Sequence, residues 1–117
     1  MTTLDEFRTW HPLTDLRLAD LPQYGAIPAV YVMRRSRTGE IVYIGSTDNL
    51  RRRIFGNHLG GVGGETTKRI NALLFNDGEV VGIELAWLET QPYENEETEL
   101  KERYRSVHGR LPVWTLR

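Results

Sequence analysis

Ala29-Val30-Tyr31-Val32-Met33-Arg34-Arg35-Ser36-Arg37-Thr38-Gly39-Glu40-Ile41-Val42-Tyr43-Ile44-Gly45 reads as a β-hairpin, and the rest of the chain is arranged around it. Residues 28–33 and 41–44 are rich in the β-branched and aromatic side chains that suit a pleated, half-buried surface. Ser36-Arg37-Thr38-Gly39 is the turn between them, with Gly39 free to take the left-handed conformation of a bulge. Side chains alternate faces along a strand, and such a loop pairs residues whose numbers differ by an even count. Tyr31 and Tyr43 are therefore expected on one sheet face, roughly opposite one another. Two phenols so placed are ordinarily half-buried packing residues.

Downstream, Thr47 or Asp48 caps a helix that begins at Asn49 and stops near Gly56. Leu50, Ile54 and Asn57 form its sheet-facing stripe, Arg53 sits in that stripe, and Arg51 and Arg52 point away. A guanidinium aimed at a sheet needs an anion, supplied by a Glu of this chain or from outside. Leu59-Gly60-Gly61-Val62-Gly63-Gly64 is too glycine-rich for regular structure. It is either a plain connector or a place where backbone approaches phosphates, with Thr66, Thr67 and Lys68 adding contacts. It lacks the Gly-Lys-Ser/Thr ending of a nucleotide-binding loop, which argues against ATP.

A second helix opens at Thr66 or Thr67, buries Ile70, Leu73 and Leu74, and closes at Asn76-Asp77-Gly78. A third strand follows over residues 80–88, with Val81, Ile83, Leu85 and Trp87 on one face. The last helix covers 93–107, ends at Gly109, and is followed by an apolar tail. Glu97, Leu100, Tyr104 and Val107 share one stripe of it, so Glu97 lies on the buried side and must meet a cation or a metal. Glu96 is its rival. Upstream, residues 4–10 and 13–21 have helix-like apolar spacing broken by Pro12 and Pro22. The expected fold is α+β: a small three-stranded antiparallel sheet flanked by helices, in the order β-β-α-α-β-α. Residues 1–25 are expected as a helical N-terminal extension packed on a domain of residues 26–117.

With 39% hydrophobic and 26% charged residues among 117, the composition is that of one globular domain. The absence of Cys excludes disulfides, thiolate zinc sites and cysteine nucleophiles. No apolar run approaches the roughly 18 residues of a membrane helix, and the N-terminus lacks a basic-then-apolar signal pattern. The expectation is a soluble, cytoplasmic protein. Net charge is −1, which excludes a polycation, but its distribution is uneven. Residues 34–69 hold eight basic residues against three acids, and residues 77–102 hold nine acids against Lys101 alone. This suggests a basic face able to track phosphates and an acidic face turned elsewhere, or two ordinary solvated surfaces.

Ala29-Val30-Tyr31, eleven residues, then Tyr43-Ile44-Gly45 resembles the paired signature of the GIY-YIG nuclease domain family. Ser46-Thr47-Asp48-Asn49-Leu50-Arg51-Arg52-Arg53 is similar to the family's stretch leading to its catalytic arginine, which falls on Arg53. His58 matches a histidine that follows, one residue farther on than is usual. Glu97-Thr98-Glu99-Leu100 resembles the metal-binding Glu and its apolar helix. The resemblance spans residues 26–115, with two departures: Ala29 where the family prefers Gly, and Thr115 where it often has Asn after a Pro.

The resemblance implies a stand-alone, single-domain endonuclease that hydrolyses phosphodiester bonds. DNA is preferred over RNA, with single-stranded, branched or damaged DNA as candidate forms. It implies one divalent metal, Mg²⁺ or Mn²⁺, held by Glu97, and Arg53 on the scissile phosphate. Tyr31 is the preferred general base with His58 as the alternative, and Tyr43 orients water or phosphate. Apart from the resemblance, Arg51, Arg52 and Arg69 are read either as phosphate anchors or as solvated surface, and Lys68 as a further phosphate contact. The other reading is a catalytically weak nucleic-acid-binding module, or a subunit of a larger repair or processing complex. A protein partner is compatible with either, and a membrane with neither.

Overall fold

The computed structural model describes residues 3–116, so Met1, Thr2 and Arg117, the outer ends of the expected extension and domain, lie outside the described residues. The hairpin forms as expected, from β2 (Ala29–Arg35) and β3 (Ile41–Thr47). Gly39 has φ +75 and donates to Arg35 O, closing the turn at 2.8 Å. A register shift between Met33 and Arg34 sets the later pairs. Tyr31 pairs with Gly45, and Met33 with Tyr43. The two tyrosines thus share a face but are diagonal neighbours, not opposite partners. The residue across from each matters: Tyr31 faces a glycine, which leaves room for its ring.

Among the described residues the sheet is four-stranded, not three-stranded; with β1 (His11–Pro12) and β4 (Ile83–Glu89) it is antiparallel throughout, in the order β1-β4-β2-β3. The added strand, β1 (His11–Pro12), comes from the lead-in read above as helical. It pairs with β4 (Ile83–Glu89) at the sheet edge, where a proline's missing N–H costs no ladder bond. The rest of the lead-in forms only short 3₁₀ turns, Leu4–Glu6, Leu18–Asp20 and Pro22–Gly25. Two prolines in so few residues leave no run long enough to nucleate an α-helix. Its apolar residues are used nonetheless. Leu13, Leu16 and Leu21 pack on one sheet face and Phe7 on the other.

Helices cover both faces. On one, Tyr31, Met33 and Tyr43 pack with Leu50 and Ile54, and with Ile70 and Leu74 of α1 (Glu65–Phe75). On the other, Val30, Val32, Ile44 and Ala86 pack with Leu100 and Tyr104 of α2 (Tyr93–His108). β4 begins later than expected because Val80 and Val81 fall in a 3₁₀ turn, Glu79–Gly82, that leaves Val81 79% exposed. Val107 is likewise exposed, Tyr104 being the last buried residue of α2. The tail covers β3, the second edge: Trp114 N–H donates to Val42 O at 2.8 Å, and Ile44 N–H donates to Thr115 Oγ1 at 3.2 Å. An edge occupied in this way cannot pair with another chain.

The helix after β3 departs most from its expected form. Its cap is Asn49, whose Oδ1 accepts from Arg52 N–H at 3.0 Å; Thr47 Oγ1 instead accepts from Asn49 N–H. Residues Arg52–His58 wind as a π-helix, with Leu59 N–H donating to Ile54 O at 2.8 Å, five residues back. It does not stop at Gly56. Wider winding puts the fourth residue after Ile54, not the third, on the sheet-facing side. His58 is therefore fully buried, while Asn57, expected in that stripe, reaches out to Val62 O. The one-residue excess between Arg53 and His58 is absorbed by this winding.

Candidate active site

The site lies along β3, where the two helical layers meet at the sheet edge. Tyr43 and Gly45 belong to the face covered by α1, and Ser46 to the face covered by α2. Arg53 and Glu97 reach the same edge from opposite layers, and both line one open cleft of about 690 Å³ with Tyr43, Gly45, Lys68 and Arg69. The acid of the last helix is therefore beside the hairpin, as the proposed chemistry needs.

Four side chains form a network that runs from the cleft wall into the core. Arg53 Nε–H donates to the Tyr31 oxygen at 3.2 Å, and a second guanidinium N–H reaches Thr67 Oγ1 at 3.4 Å. The same oxygen lies 2.8 Å from His58 Nε2, in a hydrogen bond whose donor is set by the histidine tautomer. Among the described residues, His58 Nδ1 has no hydrogen-bond partner. The Tyr43 ring stands 6.0 Å from that of Tyr31 and edge-on to His58.

Burial and charge tune this network. Tyr31 is fully buried, which pushes its phenol pKa well above the usual value; Tyr43 adds to the rise, and Arg53 opposes it. Tyr31 is thus a hydroxyl at neutral pH. Burial, then the charge of Arg53, lowers the His58 pKa from 6.5 to about 3. The imidazole is neutral and available as an acceptor. Burial opposes the charge on Arg53, but the tyrosine oxygens outweigh it and its pKa is raised.

The depressed His58 value has a stability consequence. Between pH 6.5 and about 3 the unfolded chain binds a proton that the folded chain does not, so stability falls as pH drops through this window. At full effect the loss is about 1.4 kcal/mol per pH unit. His58→Gln keeps an acceptor for Tyr31 and removes the titration. Urea midpoints at about pH 7 and pH 4.5 should show wild type losing roughly 2–3 kcal/mol more than the variant. Equal losses would mean that His58 titrates normally.

Gly45 matters because of what it lacks. A Cβ there would stand 2.7 Å from both Cζ and the hydroxyl of Tyr31, and 2.8 Å from Tyr43 Cε2. Gly45 itself lines the cleft. Gly45 thus lies against the buried Tyr31 hydroxyl on one side and the cleft on the other. Gly45→Ala should displace both rings, with a stability cost of about 1–3 kcal/mol. Any cleavage activity should fall about 10²-fold through misplacement. Thermal melts beside cleavage rates check both, and wild-type rates in a folded variant would show that the spacing is unimportant.

Glu97 is held from two sides, accepting from Ser46 Oγ on one carboxylate oxygen and from Lys101 Nζ on the other. Glu96, its rival, is not among the cleft-lining residues. Neither Ser46 nor Lys101 was identified from the motif. The available signals were a polar Ser on an apolar strand face and a Lys one helical turn after the Glu. Glu65 and Thr66, at the start of α1, also line the cleft.

The expected basic face is only partly assembled. Arg53, Lys68 and Arg69 come together, and Arg69 also donates to Trp114 O. Arg52 lines an adjoining hollow with Arg53 and Glu97, and is paired with Asp48. Arg51 lines a separate surface with Ala26 and Phe55. Arg34 pairs with Glu84 and lies over Trp10, and Arg35 pairs with Glu40 and Glu79. Those two arginines serve the fold. No glycine of residues 60–64 lines the cleft; Gly61 and Gly63 have φ +74 and +146 and turn the chain tightly into α1.

Four cations gathered with two carboxylates at a sheet edge suit a substrate that is itself a polyanion, and on this small α+β fold they fit a nuclease domain. The family model described as the GIY-YIG catalytic domain matches residues 27–110, and the chain belongs to that family. Nuclease activity and a nucleic-acid substrate follow in general, and family members generally use a divalent metal. A comparison with curated proteins finds no match. Among the described residues no helix is long and apolar enough to cross a membrane.

Proposed function

We propose that the chain is a metal-dependent endonuclease that hydrolyses phosphodiester bonds in DNA, acting on single-stranded, branched or damaged forms. The observation that carries this reading is the meeting of Arg53 and Glu97, from opposite layers, in one cleft with Tyr43 and three further cations, Lys68, Arg69 and Lys101. Arg53 grips the scissile phosphate and stabilises the charge added in the transition state. Lys68 and Arg69, with Arg52 at the adjoining hollow, hold the flanking backbone.

Hard oxygen donors face the cleft from Glu97 and Ser46, which suits Mg²⁺ or Mn²⁺. Among the described residues no group of three or more His, Asp or Glu side chains could cage an ion. Glu97 would therefore hold one ion whose remaining ligands are water and phosphate oxygens. When bound, it supplies Lewis-acid polarisation of the phosphate and eases ionisation of water.

Proton removal is assigned to Tyr31 acting with His58. A free phenolate is disfavoured in so buried a position. With His58 in its Nδ1–H tautomer no phenolate need form: Tyr31 takes a proton from the attacking water as its own passes to His58 Nε2. A phosphate on Arg53 offsets the second of the two causes that depress His58, and so raises its basicity when substrate is present. Tyr43, at the cleft wall, orients the water.

The test is incubation of the full chain with single strands, duplexes, flaps, branched junctions and RNA, each with Mg²⁺, Mn²⁺ or chelator. Internal cleavage of DNA that requires metal is the expected result. Binding without cleavage on every substrate would instead make the chain a binding module.

A further inference from the structure

Lys101 lines the same cleft but has no place in the motif or in the chemistry above. It follows Glu97 by one turn of α2, and its ammonium donates to Glu97 Oε2. The pair is largely shielded, with side-chain exposures of 16% for Lys101 and 24% for Glu97. Ser46 Oγ–H is on the other oxygen, so both carboxylate oxygens already have protein partners. Any divalent ion drawn to this acid meets a resident cation at close range.

We propose that Lys101 is a built-in competitor for the divalent cation at Glu97, released when nucleic acid and metal enter together. The proposal rests on the reading of Glu97 as the metal ligand. Lysine carries a compact charge on a flexible four-carbon stem, so its ammonium can leave Oε2 while its backbone stays in the helix. Displaced, it remains in a cleft with Arg53, Lys68 and Arg69, where a substrate phosphate gives it a new anion. Metal and nucleic acid therefore bind with positive coupling, and each raises the affinity of the other by the same factor. The pair thereby limits metal loading in the absence of nucleic acid.

Manganese binding tests this directly, by titration of the full chain with detection of free Mn²⁺ by electron paramagnetic resonance. Wild type, Lys101→Met, Lys101→Gln and Glu97→Gln are compared, each shown to be folded by circular dichroism. Without nucleic acid, both Lys101 variants should bind Mn²⁺ about threefold to tenfold more tightly than wild type. A non-cleavable phosphorothioate oligonucleotide should tighten Mn²⁺ binding by wild type more than by either variant. Wild-type or weaker affinity in both Lys101 variants, with binding abolished in Glu97→Gln, overturns the competitor role and leaves Glu97 as the ligand. Unchanged binding in Glu97→Gln removes the reading of Glu97 itself, and the proposal with it.

Discussion

Glu97→Gln should lower metal-dependent cleavage by about 10³-fold, as expected when several kcal/mol of metal-derived charge stabilisation is lost. Nucleic-acid binding should survive. The substitution removes one of the two acids lining the cleft, leaving Arg53, Lys68, Arg69 and Lys101 against Glu65. Affinity measured in chelator should therefore hold or rise, and its salt dependence should steepen slightly. Stability should fall by about 1–3 kcal/mol, because the amide oxygen still accepts from Ser46 but the shielded ion pair with Lys101 is lost. Single-turnover rates and fluorescence anisotropy on the same DNA separate the effects. Cleavage at the wild-type rate would take Glu97 out of the reaction.

Arg53→Ala should cost about 10²–10³-fold in the chemical step, the usual loss when a preorganised transition-state donor is removed. Arg53→Lys should recover little. One ammonium cannot reproduce a planar fork that already donates to Tyr31 and Thr67 while presenting further N–H groups to a phosphate. A second readout distinguishes a local role from general damage. The charge of Arg53 is the lesser of two causes depressing His58, burial being the greater. In Arg53→Ala the His58 pKa should rise from about 3 yet stay below 6.5, as followed by NMR titration of the ring. Unchanged cleavage with an unchanged His58 titration would show that Arg53 is peripheral.

The hairpin, α1 and α2 were legible because their signals are local. Alternating apolar residues gave β2 and β3, Gly39 gave the turn, and Gly78 and Gly109 marked the helix ends in left-handed conformations. The lead-in was misread as helical because its leucine spacing fits a helix. Its apolar residues are instead delivered to two different faces by 3₁₀ turns and one edge strand. The π-helix was hidden for a related reason. Arg53-Ile54-Phe55-Gly56-Asn57-His58 has an ordinary helical pattern, and only packing against Tyr31 and Tyr43 decides whether Asn57 or His58 turns inward.

Sequence alone fixed which residue types were present: two phenols on one sheet face, an arginine in a sheet-facing stripe, and an acid on the inner side of the last helix. Covalent spacing and backbone periodicity determine those things before the chain folds. Tertiary structure decided the partnerships: Tyr31 with His58, Glu97 with Ser46 and Lys101, and Arg34 and Arg35 with acids far along the chain. The physical reason is that pairing energies depend on distance and on exclusion of water. Both are set where a sheet edge and two helical layers meet, and no single segment contains them.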